Sequence, residues 1–147
     1  MVSAEVKRTA EARLRLAEGF IGTVEIIDTA SEWEIRNAFS RVYYALFHAC
    51  CACLLASGID ISKVEGIARD HGRLHSRMRV VVGKGFERFL KDSYERRRES
   101  DYKAQWAVPS AEQAKEELKK ARGPILLVSS HGSWRPAIGK CPKNDRS

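Results

Sequence analysis

The sequence predicts an all-α protein: an up-and-down bundle of four to five helices with a disordered C-terminal tail. Three observations lead there. Apolar residues recur at steps of three and four along most of the chain up to residue 128. Two pairs, Ser31 with Glu34 and Ser110 with Gln113, have the spacing of capping boxes, in which each residue satisfies a free amide of the other. No segment alternates polar and apolar residues as a half-buried strand would. The expected division is therefore a helical bundle over 1–128 and a flexible basic tail over 129–147.

The first helix is marked by Val6, Ala10, Leu14, Ala17 and Ile21 on one face. The second starts at Ser31 and runs to about Ser57, where Gly58 supplies a stop. Residues 59–69 read as a connector to a short helix around "HGRLHSRMRVVV", and Gly83 and Gly85 break the chain again. Phe86, Phe89, Leu90 and Tyr94 then line one side of a further helix that ends in "ERRRESDY". The helix capped by Ser110 buries Ala114, Leu118, Ala121 and Ile125, and Pro124 should kink or end it. "SSHGSWRPAIGKCPKNDRS" has no periodicity and reads as tail, with Arg135, Lys140, Lys143 and Arg146 adding to its charge.

At 147 residues the chain suits one domain plus a tail, and 31% charged beside 44% hydrophobic residues is ordinary for a helix-rich domain. A net charge of +7 suits an acidic partner such as RNA or DNA, and equally a well-solvated surface. The N-terminus mixes Glu with Lys and Arg and lacks the apolar core of a secretory signal. Cys50, Cys51 and Cys53 crowd one stretch and Cys141 stands alone, which is no disulfide framework, so the expected compartment is the cytoplasm.

"SRVYYALFHACCACLLASG" is the least polar stretch. It is too short and too polar for a membrane span, which needs about 20 apolar residues. Neighbouring cysteines point about 100° apart on a helix and lack a second pair, so no metal site is expected, and no cofactor either. The remaining reading is a central bundle helix with Phe39, Val42, Tyr43, Leu46, Ala49, Cys50, Cys53 and Leu54 as its main buried face. Arg41, Tyr44 and His48 form a second, polar line on it, which either finds partners on other helices or edges a cleft.

"SRVYYALFHACCACLL", "HGRLHSRM", "RRRESDY" and "PSAEQAKEELKKA" together resemble a small bacterial and archaeal branch of the HEPN superfamily over roughly residues 29–128. The resemblance implies an all-α bundle, commonly a homodimer. It also implies a small nucleotidyltransferase as partner, in a toxin–antitoxin-like pair, and RNA or a nucleotide as ligand. Many members are metal-independent ribonucleases. In them an Arg, a following Asn and a His four to six residues beyond the Arg form the site. Carried onto this chain, Arg97 takes the place of the motif Arg, Arg98 that of the Asn, and Tyr102 stands where the His is expected. The Arg would hold the scissile phosphate through charge-assisted hydrogen bonds. A phenol with a reference pKa near 10 donates a proton readily and accepts one poorly at neutral pH.

Two functional readings follow, beside a third one, general nucleic-acid binding through scattered Lys and Arg such as Arg135, Lys140, Lys143 and Arg146. In one, Arg97 and Tyr102 are catalytic, and Arg98, Arg41, Tyr44 and His48 bind RNA or nucleotide. In the other, the same cluster is structural and the domain is a non-catalytic docking module. Within the cluster, i, i+4 spacing pairs Arg97 with Asp101 and Arg98 with Tyr102, and Asp101 is expected to reach Arg41 on the central helix. Arg69 with His75 matches the Arg-to-His spacing only formally. His71 and His75 share a helix face but lack the Glu of a zinc-protease motif, and are expected to be a helix-start residue and a surface imidazole.

Overall fold

The computed structural model describes residues 3–25 and 31–129. Its six helices among the described residues are α1 (Ala4–Glu25), α2 (Glu32–Ala56), α3 (Ile61–Ala68), α4 (His71–Val81), α5 (Lys84–Tyr102) and α6 (Ala111–Ser129). The all-α bundle is as expected. The tail from residue 130 onward lies outside the described residues.

The hub is α2. Its N-cap Ser31 accepts a hydrogen bond from the Glu34 amide at 3.3 Å. It ends at Ser57 and Gly58, whose φ of +91° is a conformation glycine adopts without strain. In between, the expected face and about half of the remaining positions are buried, the three cysteines included. By length and composition α2 could cross a bilayer, but 72% of its apolar window is covered by the other helices. Fully burying Val42, Leu46, Leu54 and Leu55 contributes roughly 1.5–3 kcal/mol each. Against this hub pack α1, through Ala10, Leu14, Ala17 and Val24, α6, through Ala114, Leu118 and Ala121, and α5. Small residues on α2 (Ala38, Ala45, Ala49, Ala52) let these axes approach closely. α4 rests on α5, carried there by α3.

Three local expectations need correction. The segment read as a connector contains α3, because Ile61, Val64 and Ile67 repeat every three residues and the latter two are buried. Only Gly83 breaks the chain before α5, with φ +139°, and Gly85 lies inside the first turn. Amides there need no intrahelical partner, so a glycine is tolerated. Pro124 does not end α6, which runs on to Ser129. Ile125, packed against the core just beyond it, offsets the lost backbone bond. The Ser110–Gln113 box is complete, with amide-to-side-chain bonds of 2.7 and 3.1 Å.

Candidate functional site

The site grows from the buried stripe of α5. Leu90, Ser93, Arg97 and Ser100 recur at three and four residues, so Arg97 occupies a position where a core side chain would normally stand. It is only 7% exposed. Burying a guanidinium is costly unless it is compensated. Here the compensation is aromatic: the Arg97 Cζ lies 5.3 Å from the Tyr44 ring centroid, 5.5 Å from Tyr94, and 5.9 Å from each of Tyr43 and Tyr102. These are all four tyrosines of the chain. A cation over an aromatic face gains about 0.5–2 kcal/mol, more as water is excluded.

Formal bonding to Arg97 is sparse. Its Nη2 donates to Tyr44 Oη at 3.3 Å, and its Nε lies 3.6 Å from Asp101 Oδ2. That distance is too long for a hydrogen bond, so a buried Nε–H is left without an acceptor among the described residues. Most of the five donors of this guanidinium are unspent. At the outer edge stands Tyr102, 76% exposed.

The end of α5 is fixed by a residue the sequence reading passed over. Arg36 of α2 donates from Nη1 to the carbonyls of Ser100 (2.9 Å) and Lys103 (3.0 Å), and from Nη2 to that of Ala104 (3.4 Å). It lies between the rings of Trp33 and Trp106 and is oriented by Glu32. A cation on the last carbonyls of a helix satisfies them and complements the helix dipole. It thereby sets where Asp101 and Tyr102 project.

On the inner side, α4 contributes two imidazoles. Tyr43 Oη lies 2.7 Å from His71 Nδ1 and 3.0 Å from His75 Nε2. His71 also stacks on Tyr94, with centroids 4.7 Å apart. Asp70 caps α4 by accepting from the Arg73 amide, which fixes the turn that carries His71. Burial, then the charges of His71 and Lys91, lower His75 to about 4. Burial and the nearby Arg97 also lower His71. Burial drives the Tyr43 phenol far above its usual value, with Cys50 and Tyr94 adding to the shift. All three groups are neutral at pH 7.

The sequence-predicted residues divide. Arg97, Tyr44, Asp101 and Tyr102 come together, and the Arg97–Asp101 pair forms as expected. Asp101 does reach α2, but it accepts from Ser40 Oγ at 3.3 Å and not from Arg41. Arg41 has no acidic partner among the described residues. One residue along the helix turns its side chain by about 100°, which is enough to exchange the partner. Arg98 pairs with Glu95 (3.6 Å) and lies over Tyr94, not with Tyr102, whose ring turns to Arg97. His48 stands apart: its Nδ1 accepts from Arg13 Nη1 at 2.9 Å, and Phe20 stacks on its ring. Arg69 is an exposed cap of α3. His75, expected at the surface, is 2% exposed. Its place on the buried stripe Leu74–Met78 of α4 explains this, since the ring fills core space and finds a phenol.

Among the described residues there is no cluster of three or more His, Cys, Asp or Glu side chains arranged to hold a metal ion. The three α2 thiols are pushed up by burial, Cys51 to about 11 and Cys53 to about 12.

An all-α bundle whose central helix meets a buried Arg near the end of a later helix defines a class of small helical domains. The sequence model of the HEPN domain matches residues 4–130, and the chain belongs to that family. It is 32% identical over 89 residues to a Thermotoga maritima protein named UPF0332, covering 60% of this chain and 66% of that one. A second UPF0332 protein, from Pyrococcus horikoshii, is 31% identical over 46% of each chain. These two alignments thus span about two-thirds and about half of the relatives' own lengths. A Methanocaldococcus jannaschii protein named "Putative toxin MJ0605" is 25% identical over 86% of this chain and 98% of its own. No solved structure matches the chain.

Proposed function

We propose that this HEPN protein binds RNA or a nucleotide and cleaves RNA without a metal, as one half of a toxin–antitoxin-like pair with a small nucleotidyltransferase. The observation that carries this is Arg97: a guanidinium enclosed by four phenols, with most of its donors unspent. Structural arginines in cores are normally tied off by carboxylates or carbonyls, as Arg36 is here. A phosphate oxygen would complete Arg97 through charge-assisted bonds. Tyr44 and Arg98 flank it, and the exposed Tyr102 offers a ring on which a base can stack. The toxin name of the archaeal relative supports the paired system, and the net charge of +7 suits a polyanion. A homodimer, read from the family resemblance, belongs to the same proposal and is checked by light scattering.

The test incubates the protein with bulk tRNA in EDTA. Arg97→Ala should lower the cleavage rate at least about 100-fold, the usual cost of losing a donor to a developing charge. Tyr102→Phe should lower it less. Co-purification with the product of a neighbouring nucleotidyltransferase reading frame would check the pairing. The near-complete enclosure of Arg97 favours a second reading, the docking module. It predicts no cleavage by wild type, and an Arg97→Ala variant that loses stability but no RNA affinity.

A further inference from the structure

We infer that His71, carried by α4, supplies the proton-transfer group that the α5 motif lacks, with Tyr43 and His75 as positioning residues that fix its tautomer. The inference rests on the ribonuclease reading above and deepens it.

The argument begins with a count of protons. Tyr43 Oη has one hydrogen to donate, and it contacts two imidazole nitrogens, His71 Nδ1 at 2.7 Å and His75 Nε2 at 3.0 Å. It can donate to only one and must accept from the other. Only two arrangements satisfy all three groups. In the first, His71 carries its proton on Nδ1 and gives it to Tyr43, which in turn donates to His75 Nε2. In the second, both bonds reverse. The first leaves His71 Nε2 as a bare lone pair, the form a general base needs. The two histidines therefore meet on a phenol oxygen, through different ring nitrogens, and not at a common metal position.

Placement singles out His71, and not His75, as the ring that could meet a substrate. Nε2 is the ring nitrogen remote from Tyr43 and has no partner among the described residues. His71 is half-buried, whereas His75 is sealed in. His71 touches two of the rings that enclose Arg97: its Nδ1 bonds Tyr43, and its face stacks on Tyr94. The guanidinium and the imidazole thus share two aromatic walls. A phosphodiester held by Arg97 would lie beside the imidazole.

The step balances without another reactant. His71 Nε2 takes the proton of a ribose 2′-hydroxyl. The 2′-oxygen bonds to the adjacent phosphorus, the P–O5′ bond breaks, and the proton is returned from Nε2 to the departing 5′-oxygen. The products are a 2′,3′-cyclic phosphate and a 5′-hydroxyl. The charged and titratable groups facing His71 are Tyr43 from α2, the cap residue Asp70, His75 from α4, and Tyr94 and Arg97 from α5. Those facing His75 are Tyr43, His71, Asp70, Tyr94, Glu87 and Lys91. Burial and Arg97 keep His71 unprotonated at neutral pH, ready to accept.

The experiment compares cleavage of bulk tRNA in EDTA by wild type, His71→Ala, His71→Gln, His75→Gln, His75→Leu, Tyr43→Phe and Arg97→Ala. Each is checked for native circular dichroism. His71→Ala and His71→Gln should lose about 100-fold or more, and added imidazole should restore part of the His71→Ala rate. His75→Gln, which keeps an acceptor for Tyr43, should retain most activity, while His75→Leu and Tyr43→Phe lose about tenfold. Nitrogen-15 spectra should show His71 protonated on Nδ1 in wild type and redistributed towards Nε2 in Tyr43→Phe. Wild-type rates in both His71 variants beside a silent Arg97→Ala would overturn this inference and leave the ribonuclease reading standing. A wild type that cleaves nothing would remove both.

Discussion

Two arginines meet the polar line of α2 within a few residues of each other, and they are treated in opposite ways. Arg13 of α1 is tied off: one nitrogen donates to His48 at 2.9 Å, another pairs with Glu65 at 2.7 Å, and Phe47 lies beneath the cation. Arg97 of α5 is enclosed by rings, while its Nε–H finds no acceptor among the described residues and Asp101 stays at 3.6 Å. Both sites contain a histidine and aromatic rings. The difference is saturation. A closed cluster gains its free energy in folding, whereas an open one leaves a donor unmatched, the feature on which the proposed anion binding rests.

This contrast can be broken by experiment. The largest expected effect is on chemistry: Arg97→Ala should lower tRNA cleavage at least about 100-fold, while Arg13→Ala, whose contacts are His48, Glu65 and Phe47, stays within about twofold of wild type, as expected of sites that share no partner. Equal losses in both would erase the distinction. Next comes Arg36→Ala, which strips three carbonyls of their donor and should cost about 2–3 kcal/mol in urea unfolding. It should also lower cleavage, because Asp101 and Tyr102 lose their anchor. Arg13→Ala should cost less, about 1–2 kcal/mol, since Glu65 can turn to water.

The smallest effect is one of pH. His48 and His75 both have folded-state values near 4, below the ordinary 6.5, mainly through burial. Above about pH 6.5 neither folded nor unfolded chain is protonated there, so their contribution to stability is complete. As pH falls from 6.5 towards 4 the unfolded chain takes up protons that the folded one refuses, and stability declines. Chemical denaturation between pH 7 and 4.5 should show this slope, and His48→Gln should flatten it. A slope unchanged in His48→Gln would mean that burial, with Arg13 beside the ring, does not hold His48 neutral in the folded chain.

How much of this was legible in the sequence depended on the range of the interaction. Caps are local, so Ser31 and the Ser110–Gln113 box could be read directly, as could the apolar face of α2. The α3 helix was missed because Gly58, Asp60 and Gly66 obscured a short three-residue repeat that only burial makes visible. Arg97 and Tyr44 lie in the two signature segments, and the meeting of those segments brings them together. Tyr43 is the core residue its spacing predicts, but its hydroxyl also serves two histidines from 28 and 32 positions away. Nothing local announces that pairing. Asp101 meets Ser40, one residue short of the expected Arg41, since spacing identifies a helix face more reliably than a bonding atom. For Arg36 the only local signal is Glu32 at i−4, and its other ligands are main-chain carbonyls at the end of another helix, which spacing cannot reveal.

One consequence of the phenol cage is practical. With every tyrosine in the chain placed around a single guanidinium, ring-selective carbon-13 labelling would yield four resonances that all report from the same few ångströms. The occupancy of that spot by a bound anion could be followed in unmodified protein, without a dye or an engineered probe.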